Sequence, residues 1–254
     1  MSPPWLNATT LSGATALPTM HDLPSDDPLE PGLPDEFHGL QPQLLAETLR
    51  LENYASSEIF SAFDLNLYYD PDHTGWYKRP DWFLVVGVSR LYRGESSRSS
   101  YVIWDEQVPP VLAIEFLSPG TESEDLGPFA TKPTATKPGK PPSKFTVYEQ
   151  ILQIPNYVIF DEKSGVLRYL RLVNGAYQEQ AIAPTNPRIW IPEINLGLGL
   201  WSGSFRNLPQ PWLRWCDAQG NWQLTEGELE RQEKERLAAY LRSLGLDPDN
   251  LPGS

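Results

Sequence analysis

One stretch constrains the fold of this chain more than any other: it runs from Val111 to Pro119 and reads V-L-A-I-E-F-L-S-P. Six of its first seven residues are apolar, and the run ends at a Ser-Pro step. Seven residues is the length of a strand, and a nearly continuous apolar run is typical of a strand covered on both faces. We therefore predict a central strand of a sheet in the protein interior.

The charge inside this predicted strand is Glu115. Alternate residues of a strand share a face, so Glu115 points the same way as Val111, Ala113 and Leu117. An ionised carboxylate among such neighbours is costly unless it is paired or bound to a metal ion. Two interpretations of Glu115 remain open from this stretch alone. One is an ordinary ion pair at the end of a strand, and the other is an acidic residue with a function.

The supply of metal-binding side chains limits the kind of metal site. The chain has one cysteine, Cys216, which excludes an internal disulfide and a thiolate cluster within one chain. The three histidines, at positions 21, 38 and 73, are too far apart in sequence to indicate a zinc pair. A metal site would therefore be built from oxygen atoms, which favours Mg²⁺, Mn²⁺ or Ca²⁺.

Charge and hydropathy narrow the setting in which the protein works. The formal net charge of −13 opposes a broad, unspecific grip on nucleic acid. No apolar run approaches the ~18 residues of a membrane span, and the N-terminus lacks the basic and then apolar pattern of a signal peptide. We expect a cytoplasmic protein that does not engage a membrane.

The N-terminal region is predicted to be a tail. Residues 1–36 are rich in proline and in small polar residues, which indicates a disordered or extended segment. The pattern becomes helical over 41–54, where apolar residues recur three and four positions apart. Glu47 and Glu52 lie on or beside that helix, and each taken alone is typical of solvent-facing charge.

Two strands are predicted before the central one. Alternation over 63–69 indicates the first, and R-P-D-W-F-L-V-V-G-V over 79–88 indicates the second, with Asp81 at its beginning. Turn chemistry alone explains a Pro-Asp step before a strand. Residues 70–81 nearly reproduce the spacing of an EF-hand calcium loop. Strands rather than helices are predicted on both sides of that loop, which argues against calcium there.

The segment 127–143 is the only clearly basic part of the chain, with three lysines among five prolines. A mobile surface loop and a substrate-facing loop are equally open interpretations of it. Ser143, at the end of this segment, can cap a helix that runs to about residue 153.

Lys144 occupies an unusual place on that predicted helix. It shares the apolar face with Val147, Tyr148 and Ile151, which follow it at intervals of three, four and seven residues. It also lies in the first turn, where the helix dipole opposes a cation. An inward lysine at this end of a helix indicates an anionic partner, and Glu115 is a candidate.

The C-terminal third is predicted to add hairpin strands, an aromatic-rich layer and a helix. The layer around Trp212 and Trp215 is interpreted as core or as dimer surface. Thr225-x-x-Glu228 is a capping box that starts a charged helix ending near Leu244. Only the second half of this helix has an apolar stripe, so we expect it to dock on the domain or on a second copy.

The order of these pieces resembles the PD-(D/E)XK nuclease superfamily, and more closely the Uma2 family of restriction-endonuclease-like proteins. The resemblance covers roughly residues 40–250, and the order and spacing of its stretches are specific for the family. These stretches are R-P-D-W-F-L-V-V at 79–86, P-V-L-A-I-E-F-L-S-P-G-T at 110–121 with Asp125 after it, K-F-T-V-Y-E-Q at 144–150, I-P-N-Y-V-I-F-D at 154–161, L-R-W at 213–215 and L-A-A-Y-L-R-S-L-G-L-D-P-D at 237–249.

The resemblance implies a metal site. Asp81 and Glu115 would bind Mg²⁺, or Mn²⁺, together with the main-chain carbonyl of Phe116. The metal would activate water and neutralise the charge that develops on a phosphate. The superfamily usually has a lysine two residues after the second acid, where this chain has Leu117.

Two further residues are assigned by the resemblance. Lys144 would replace the lysine that is missing at position 117, and it would position the water or stabilise charge in the transition state. Glu47 is chosen over Glu52 as the acid that the family places on its first helix.

These observations together predict an α/β protein with a restriction-endonuclease-like core, whose central mixed sheet is flanked by helices and extended by C-terminal strands and a C-terminal helix. The expected organisation is a tail over 1–36, the core over 37–215, and a turn and charged helix over 216–254. The expected function is metal-dependent hydrolysis of nucleic acid, with DNA favoured, by a homodimer. The alternative is an inactive protein of this fold that acts as a binding or assembly module, which the net acidity and the missing lysine favour.

Overall fold

The computed structural model describes residues 35–118, 120–131 and 139–248. Apart from residues 35 and 36, the predicted tail lies outside these ranges, and so do Lys132 and Lys137 of the predicted basic loop. The chain divides into two units, Met1–Glu36 and Phe37–Ser254, and the architecture below is that of the second unit.

Short helices alternate with strands along the described residues. The strands are β1 (Ile59–Ala62), β2 (Leu67–Tyr68), β3 (Tyr77–Lys78), β4 (Trp82–Val86), β5 (Tyr101–Val102), β6 (Leu112–Phe116), β7 (Asn156–Asp161), β8 (Val166–Val173), β9 (Ala176–Glu179), β10 (Arg188–Ile191), β11 (Leu196–Phe205) and β12 (Leu208–Cys216). The helices are α1 (Glu36–Thr48), α2 (Ile103–Glu106), α3 (Glu122–Asp125), α4 (Lys144–Thr146) and α5 (Glu226–Ser243), and α4 continues directly into a π-helical turn, Val147–Ile151.

Six strands form a mixed sheet in the order β1-β4-β6-β7-β8-β9. β6 and β7 pair in parallel, whereas their outer neighbours β4 and β8 pair with them antiparallel. A parallel pair needs a crossover connection because the chain must return to the same end of the sheet. That crossover carries α3, α4 and the π-helical turn, and it packs their apolar side chains on one face of the sheet.

β6 is the buried centre of this sheet, as the sequence predicts. All five of its residues are buried. Ile114 and Phe116 belong to an apolar cluster that includes the apolar face of α1, and Ala113 belongs to a second cluster that includes Val147 and Tyr148. Both faces of the strand are therefore covered. Because alternate residues share a face, Glu115 points into the second cluster, toward the crossover.

A second sheet, β10-β11-β12, contributes to the cluster on the α1 side. Trp212 and Trp215 are fully buried in it, so of the two interpretations of the aromatic layer the structure supports core for these residues. β11 and β12 form a long hairpin closed by Arg206 and Asn207, whose φ angles are +51° and +65°. Two consecutive positive φ angles are typical of the type I′ turn, whose twist matches that of paired strands.

The predicted strand over 63–69 is wrong in its extent. β1 ends at Ala62, and β2 begins at Leu67. Between them Asp64 has a φ of +50°, a left-handed conformation that a strand cannot continue through. The alternation in the sequence therefore combines residues from two elements. Residues 70–81, which resemble a calcium loop, contain β3 and lie between β2 and β4, so strands and not helices flank them, as expected.

The C-terminal helix α5 begins at the predicted capping box. Thr225 Oγ1 accepts a hydrogen bond from the N–H of Glu228 at 3.3 Å, and the Glu228 carboxylate accepts from the N–H of Thr225 at 2.8 Å. No residue of α5 is buried against the described chain, so the expected docking on the domain is not seen there. Among the described residues, no helix combines the length and the apolar character needed to cross a membrane.

Candidate active site

Asp81 and Glu115 meet because β4 and β6 are antiparallel neighbours. Trp82 pairs with Ile114, so Asp81, one residue earlier, stands opposite Glu115. The N–H of Asp81 donates to Glu115 Oε2 at 3.3 Å, and the N–H of Phe116 donates to Asp81 Oδ2 at 2.6 Å. Each strand therefore holds the carboxylate of the other.

Lys144 joins these two acids from α4. Ser143 caps the helix as predicted, because its side chain accepts a hydrogen bond from the N–H of Thr146. Lys144 Nζ lies 2.7 Å from Glu115 Oε2, in a pair whose lysine side chain is 19% exposed and whose carboxylate is fully buried. The structure thus brings Asp81, Glu115 and Lys144 into one cluster.

Tyr148 completes the hydrogen bonds of Glu115. Its hydroxyl donates to Glu115 Oε1 at 2.7 Å, from a position one helical turn after Lys144. The π-helical turn also corrects the predicted apolar face. Ile151 is 44% exposed, whereas Leu152 is buried. A π turn holds more than four residues, so it moves the inward face one position along the chain.

Asp125 is a third carboxylate in this cluster, and it comes from the short helix α3. It is 1% exposed, and its Oδ1 lies 3.7 Å from Lys144 Nζ. The hydroxyl of Tyr157 donates to the main-chain carbonyl of Asp125 at 2.9 Å, which fixes the backbone there. The sequence holds a signal for Asp125, since it follows the stretch 110–121 that carries the resemblance, but its spacing alone assigns no role.

Comparison with known families decides the relationship of this chain. The family model described as "Putative restriction endonuclease" matches residues 17–205, which is more than half of the sequence. The chain belongs to the Uma2 family. No curated protein matches the sequence. The large mixed sheet, the few helices and the added C-terminal strands and helix of this Uma2 chain are consistent with a restriction-endonuclease-like fold.

The electrostatics of the Uma2 cluster are those of three acids that share one lysine. Burial is the main reason why the pKa of Glu115 rises to about 7; the charge of Asp81 contributes to this rise, and Lys144 opposes it. Burial also raises the pKa of Asp125 to about 6, and that of Asp81 in the same direction. For Lys144 burial disfavours the charged form, but the three carboxylates outweigh it and raise its pKa. The cluster is short of positive charge, and its lysine stays protonated.

The structure does not bring Glu47 to this cluster. Its carboxylate pairs with Arg206 Nη2 at 3.3 Å. Glu47 lies nine residues after His38 on α1, and nine residues at 3.6 per turn place two side chains on opposite faces of a helix. Glu47 is therefore outside this cluster in the structure, and its role as the acid of the first helix stays a prediction. Its competitor Glu52 is exposed beyond the end of α1.

α1 instead delivers His38, which the sequence analysis missed. His38 is buried, and its Nε2 lies 3.2 Å from the main-chain carbonyl of Phe116. The recurrence of apolar residues predicts a helix over 41–54. The helix in fact begins at Glu36, and Pro42 lies inside it. The signal that the sequence offered for this residue was the position of His38, one helical turn before the predicted start of the helix.

Leu117 lies on the Glu115 side of the sheet, as predicted. It packs against the same apolar cluster as Ala113 and Tyr148. Over residues 35–118, 120–131 and 139–248, no three histidine, cysteine, aspartate or glutamate side chains converge closely enough to hold a metal ion. The candidate site is thus two carboxylates held by their strands, a lysine between Glu115 and Asp125, and a tyrosine.

Proposed function

We propose that this Uma2 chain is a metal-dependent endonuclease that hydrolyses phosphodiester bonds of nucleic acid, with DNA as the favoured substrate. The observation that carries the proposal is the cluster of Asp81, Glu115 and Lys144 in a chain of this family. Such a cluster offers the two things that phosphodiester hydrolysis needs, oxygen ligands for a divalent cation and a fixed positive charge for the phosphate.

The donor atoms fit a hard divalent cation. Asp81 and Glu115 would hold Mg²⁺ or Mn²⁺ together with the main-chain carbonyl of Phe116, because all three offer oxygen. Burial raises the pKa values of Glu115 and Asp81, and a bound cation would offset the cost of their buried negative charge. When bound, the metal supplies a Lewis acid and lowers the pKa of a water ligand.

Lys144 acts in this proposal as a hydrogen-bond donor and not as a base. The surrounding carboxylates raise its pKa, so the ammonium group cannot accept a proton near neutral pH. Its role is to stabilise the negative charge that develops on the phosphate in the transition state. Tyr148 orients the Glu115 carboxylate through their 2.7 Å hydrogen bond.

A second candidate function is an inactive protein of this fold that acts as a binding or assembly module. Both carboxylate oxygens of Glu115 already have protein partners, Lys144 and Tyr148. The net charge of −13 also opposes nucleic acid. Both observations are expected if Glu115 and Lys144 form a buried ion pair whose role is to stabilise the fold.

We propose in addition that the protein is a homodimer that pairs through α5. The second half of α5 and the residue after it form an apolar stripe. Half or more of each side chain is exposed at Leu237, Tyr240 and Leu244. An open apolar stripe on a helix is stabilised by packing against a partner. Sedimentation equilibrium should show a dimer for the wild type and a monomer for Leu237→Glu, and a wild-type monomer would exclude this pairing.

Plasmid nicking in Mn²⁺ or Mg²⁺ tests the leading proposal. Asp81→Asn, Glu115→Gln and Lys144→Ala should each lose activity. Lys163→Ala is the matched control, because Lys163 is an exposed lysine in the turn between β7 and β8. It should nick as the wild type does.

A rescue variant separates the two candidate functions. Leu117→Lys combined with Lys144→Ala should restore part of the nicking, because residue 117 lies on the Glu115 side of the sheet. If the double variant regains only thermal stability, and the wild type nicks no plasmid in any divalent cation, the module is the correct function.

A further inference from the structure

Asp125 is the charged group of the cluster that the proposed function does not use. It lies on α3, in the crossover between β6 and β7, and it is 1% exposed. Its Oδ1 is buried and has no hydrogen-bond partner among the described residues. A buried carboxylate oxygen without a donor is costly, so its retention calls for a reason beyond packing.

The Lys144 ammonium lies beside this oxygen. Nζ is 2.7 Å from Glu115 Oε2 and 3.7 Å from Asp125 Oδ1. The first distance is a full charge-assisted hydrogen bond, and the second exceeds the usual limit of ~3.2 Å. Lysine has a flexible four-carbon stem and three donors, so a small rotation can close the second distance.

Hydrogen bonds hold the backbone on both sides of this pair. The Tyr157 hydroxyl holds the Asp125 carbonyl at 2.9 Å, and the Asp125 N–H donates to the carbonyl of Thr121 at 3.0 Å. Glu124 accepts from the main-chain N–H of Lys144 at 3.2 Å, which ties α3 to the first turn of α4. With both backbones held, the movement that closes the distance falls to the side chains, and lysine has the longer and more flexible one.

We propose that Asp125 is a positioning residue, the carboxylate to which the Lys144 ammonium moves when a divalent cation takes Glu115. This inference rests on the proposed function, because it requires a cation at Glu115. A divalent cation and an ammonium group cannot share the Glu115 carboxylate without strong repulsion. Asp125 Oδ1 offers the displaced ammonium a full hydrogen bond in place of the one it loses, and it keeps the lysine beside the site.

Mn²⁺ affinity, measured by calorimetry on four proteins, tests this proposal without any activity assay. The proteins are the wild type, Asp125→Asn, Lys144→Met and the double variant. Asp125→Asn should weaken Mn²⁺ binding at least ~5-fold, the lower end of typical coupling between two sites, because the lysine then stays on Glu115. Lys144→Met should bind Mn²⁺ more tightly than the wild type. In that background Asp125→Asn should cost less than ~2-fold, since no ammonium remains to be moved.

Glu122→Gln is the matched control for local charge. It removes one negative charge from the same helix, and Glu122 is exposed, so the tie between α3 and α4 stays intact. Its effect on Mn²⁺ affinity should be small and equal with Lys144 and with Met at that position.

Three results would overturn the inference. An equal loss of affinity from Asp125→Asn in both backgrounds makes Asp125 a direct metal ligand. Lower thermal stability with unchanged Mn²⁺ affinity makes it purely structural. Absence of Mn²⁺ binding to the wild type overturns the proposed function as well, so the two failures are distinguishable.

Should Asp125→Asn not fold, a crystal structure of the wild type with Mn²⁺ decides. Nζ within ~3.2 Å of Asp125 Oδ1 supports the move, and Nζ still on Glu115 refutes it.

Discussion

The two carboxylate oxygens of Glu115 have different partners, and that difference defines the site at the scale of single residues. Oε2 accepts from Lys144 and from the N–H of Asp81, and Oε1 accepts from Tyr148. These contacts satisfy the hydrogen bonds of the Glu115 carboxylate. They do not balance the negative charge of the cluster, because Asp81 and Asp125 share the same lysine. Stability should therefore depend on the protonation of Glu115.

The raised pKa of Glu115 predicts that stability falls as pH rises. Between 4.5, its ordinary value, and about 7, the folded protein holds this proton and the unfolded chain does not. Glu115 therefore lowers the free energy of unfolding by roughly 3 kcal/mol as the pH rises across that window, and its contribution is constant at higher pH. Urea unfolding without divalent cations, at pH 5 to 8, should show a smaller fall for Glu115→Gln than for the wild type. Parallel curves for the two proteins would contradict the assignment.

Tyr148 should tune that same proton. Tyr148→Phe removes a hydrogen bond that favours the charged carboxylate, so it should raise the pKa of Glu115 further and cost about 1–3 kcal/mol of stability. Carbon-13 NMR titration of the glutamate carboxyl groups measures the pKa directly. Tyr177→Phe is the matched control, because its buried hydroxyl donates to the carbonyl of Ile154 instead. It should lower stability and leave the pKa of Glu115 in place; equal shifts from both variants would refute the role of Tyr148.

At the scale of elements, two helices with opposite relations to the sheet matter most. The crossover helix turns inward, and its π-helical turn sets Leu152 against the core and leaves Ile151 exposed. The C-terminal helix α5 stays on the surface of the described chain, and its anchor is at its beginning. There Glu228 pairs with Arg214 of β12, which is 1% exposed. This pair ties the first turn of α5 to the second sheet.

Removal of Glu228 should destabilise the protein far more than removal of a neighbouring glutamate. Glu228→Ala leaves the buried Arg214 guanidinium without its carboxylate and removes half of the capping box, with an expected loss of about 3 kcal/mol. Glu230→Ala, an exposed glutamate on the same helix, should change stability by less than about 0.5 kcal/mol. Thermal melts of the two variants measure the difference. Similar melting temperatures would mean that the pair contributes little.

At the scale of the whole molecule, a strongly acidic protein surrounds a site that is short of positive charge. The net charge of −13 raises the local concentration of cations and opposes nucleic acid. We therefore expect divalent cations to bind before any nucleic acid does, and binding to the folded state alone adds stability.

Divalent cations should accordingly raise the melting temperature. At a concentration of Mn²⁺ one hundred times its Kd, the added stability is about 2.7 kcal/mol, or roughly 5–10 °C for a domain of this size. Asp81→Asn should abolish the shift in a thermal melt. Asp70→Asn, in the turn that resembles a calcium loop, should leave it unchanged. Loss of the shift in Asp70→Asn alone would move the metal site to that turn.

The features that could be predicted from the sequence are those whose signals are local. The apolar run around Glu115 predicted a doubly covered strand, Ser143 and Thr225 predicted two helix starts, and the inward face of Lys144 predicted a partnership with Glu115. Each follows from spacing within one element, where side-chain direction is fixed by the backbone period. The Uma2 resemblance joined these elements into the α/β fold.

Contacts between side chains of different elements could not be predicted in this way, because they depend on how the chain folds. His38 and Glu47 lie on the same helix, and the packing of α1 on β6 selected the histidine. Asp125 gained its place because the crossover returns α3 beside α4. Such contacts depend on how elements pack, on unforeseen breaks such as the left-handed Asp64, and on a π-helical turn that shifts a face by one residue. None of these leaves a periodic trace in the sequence, because each is settled by the neighbours that folding brings together.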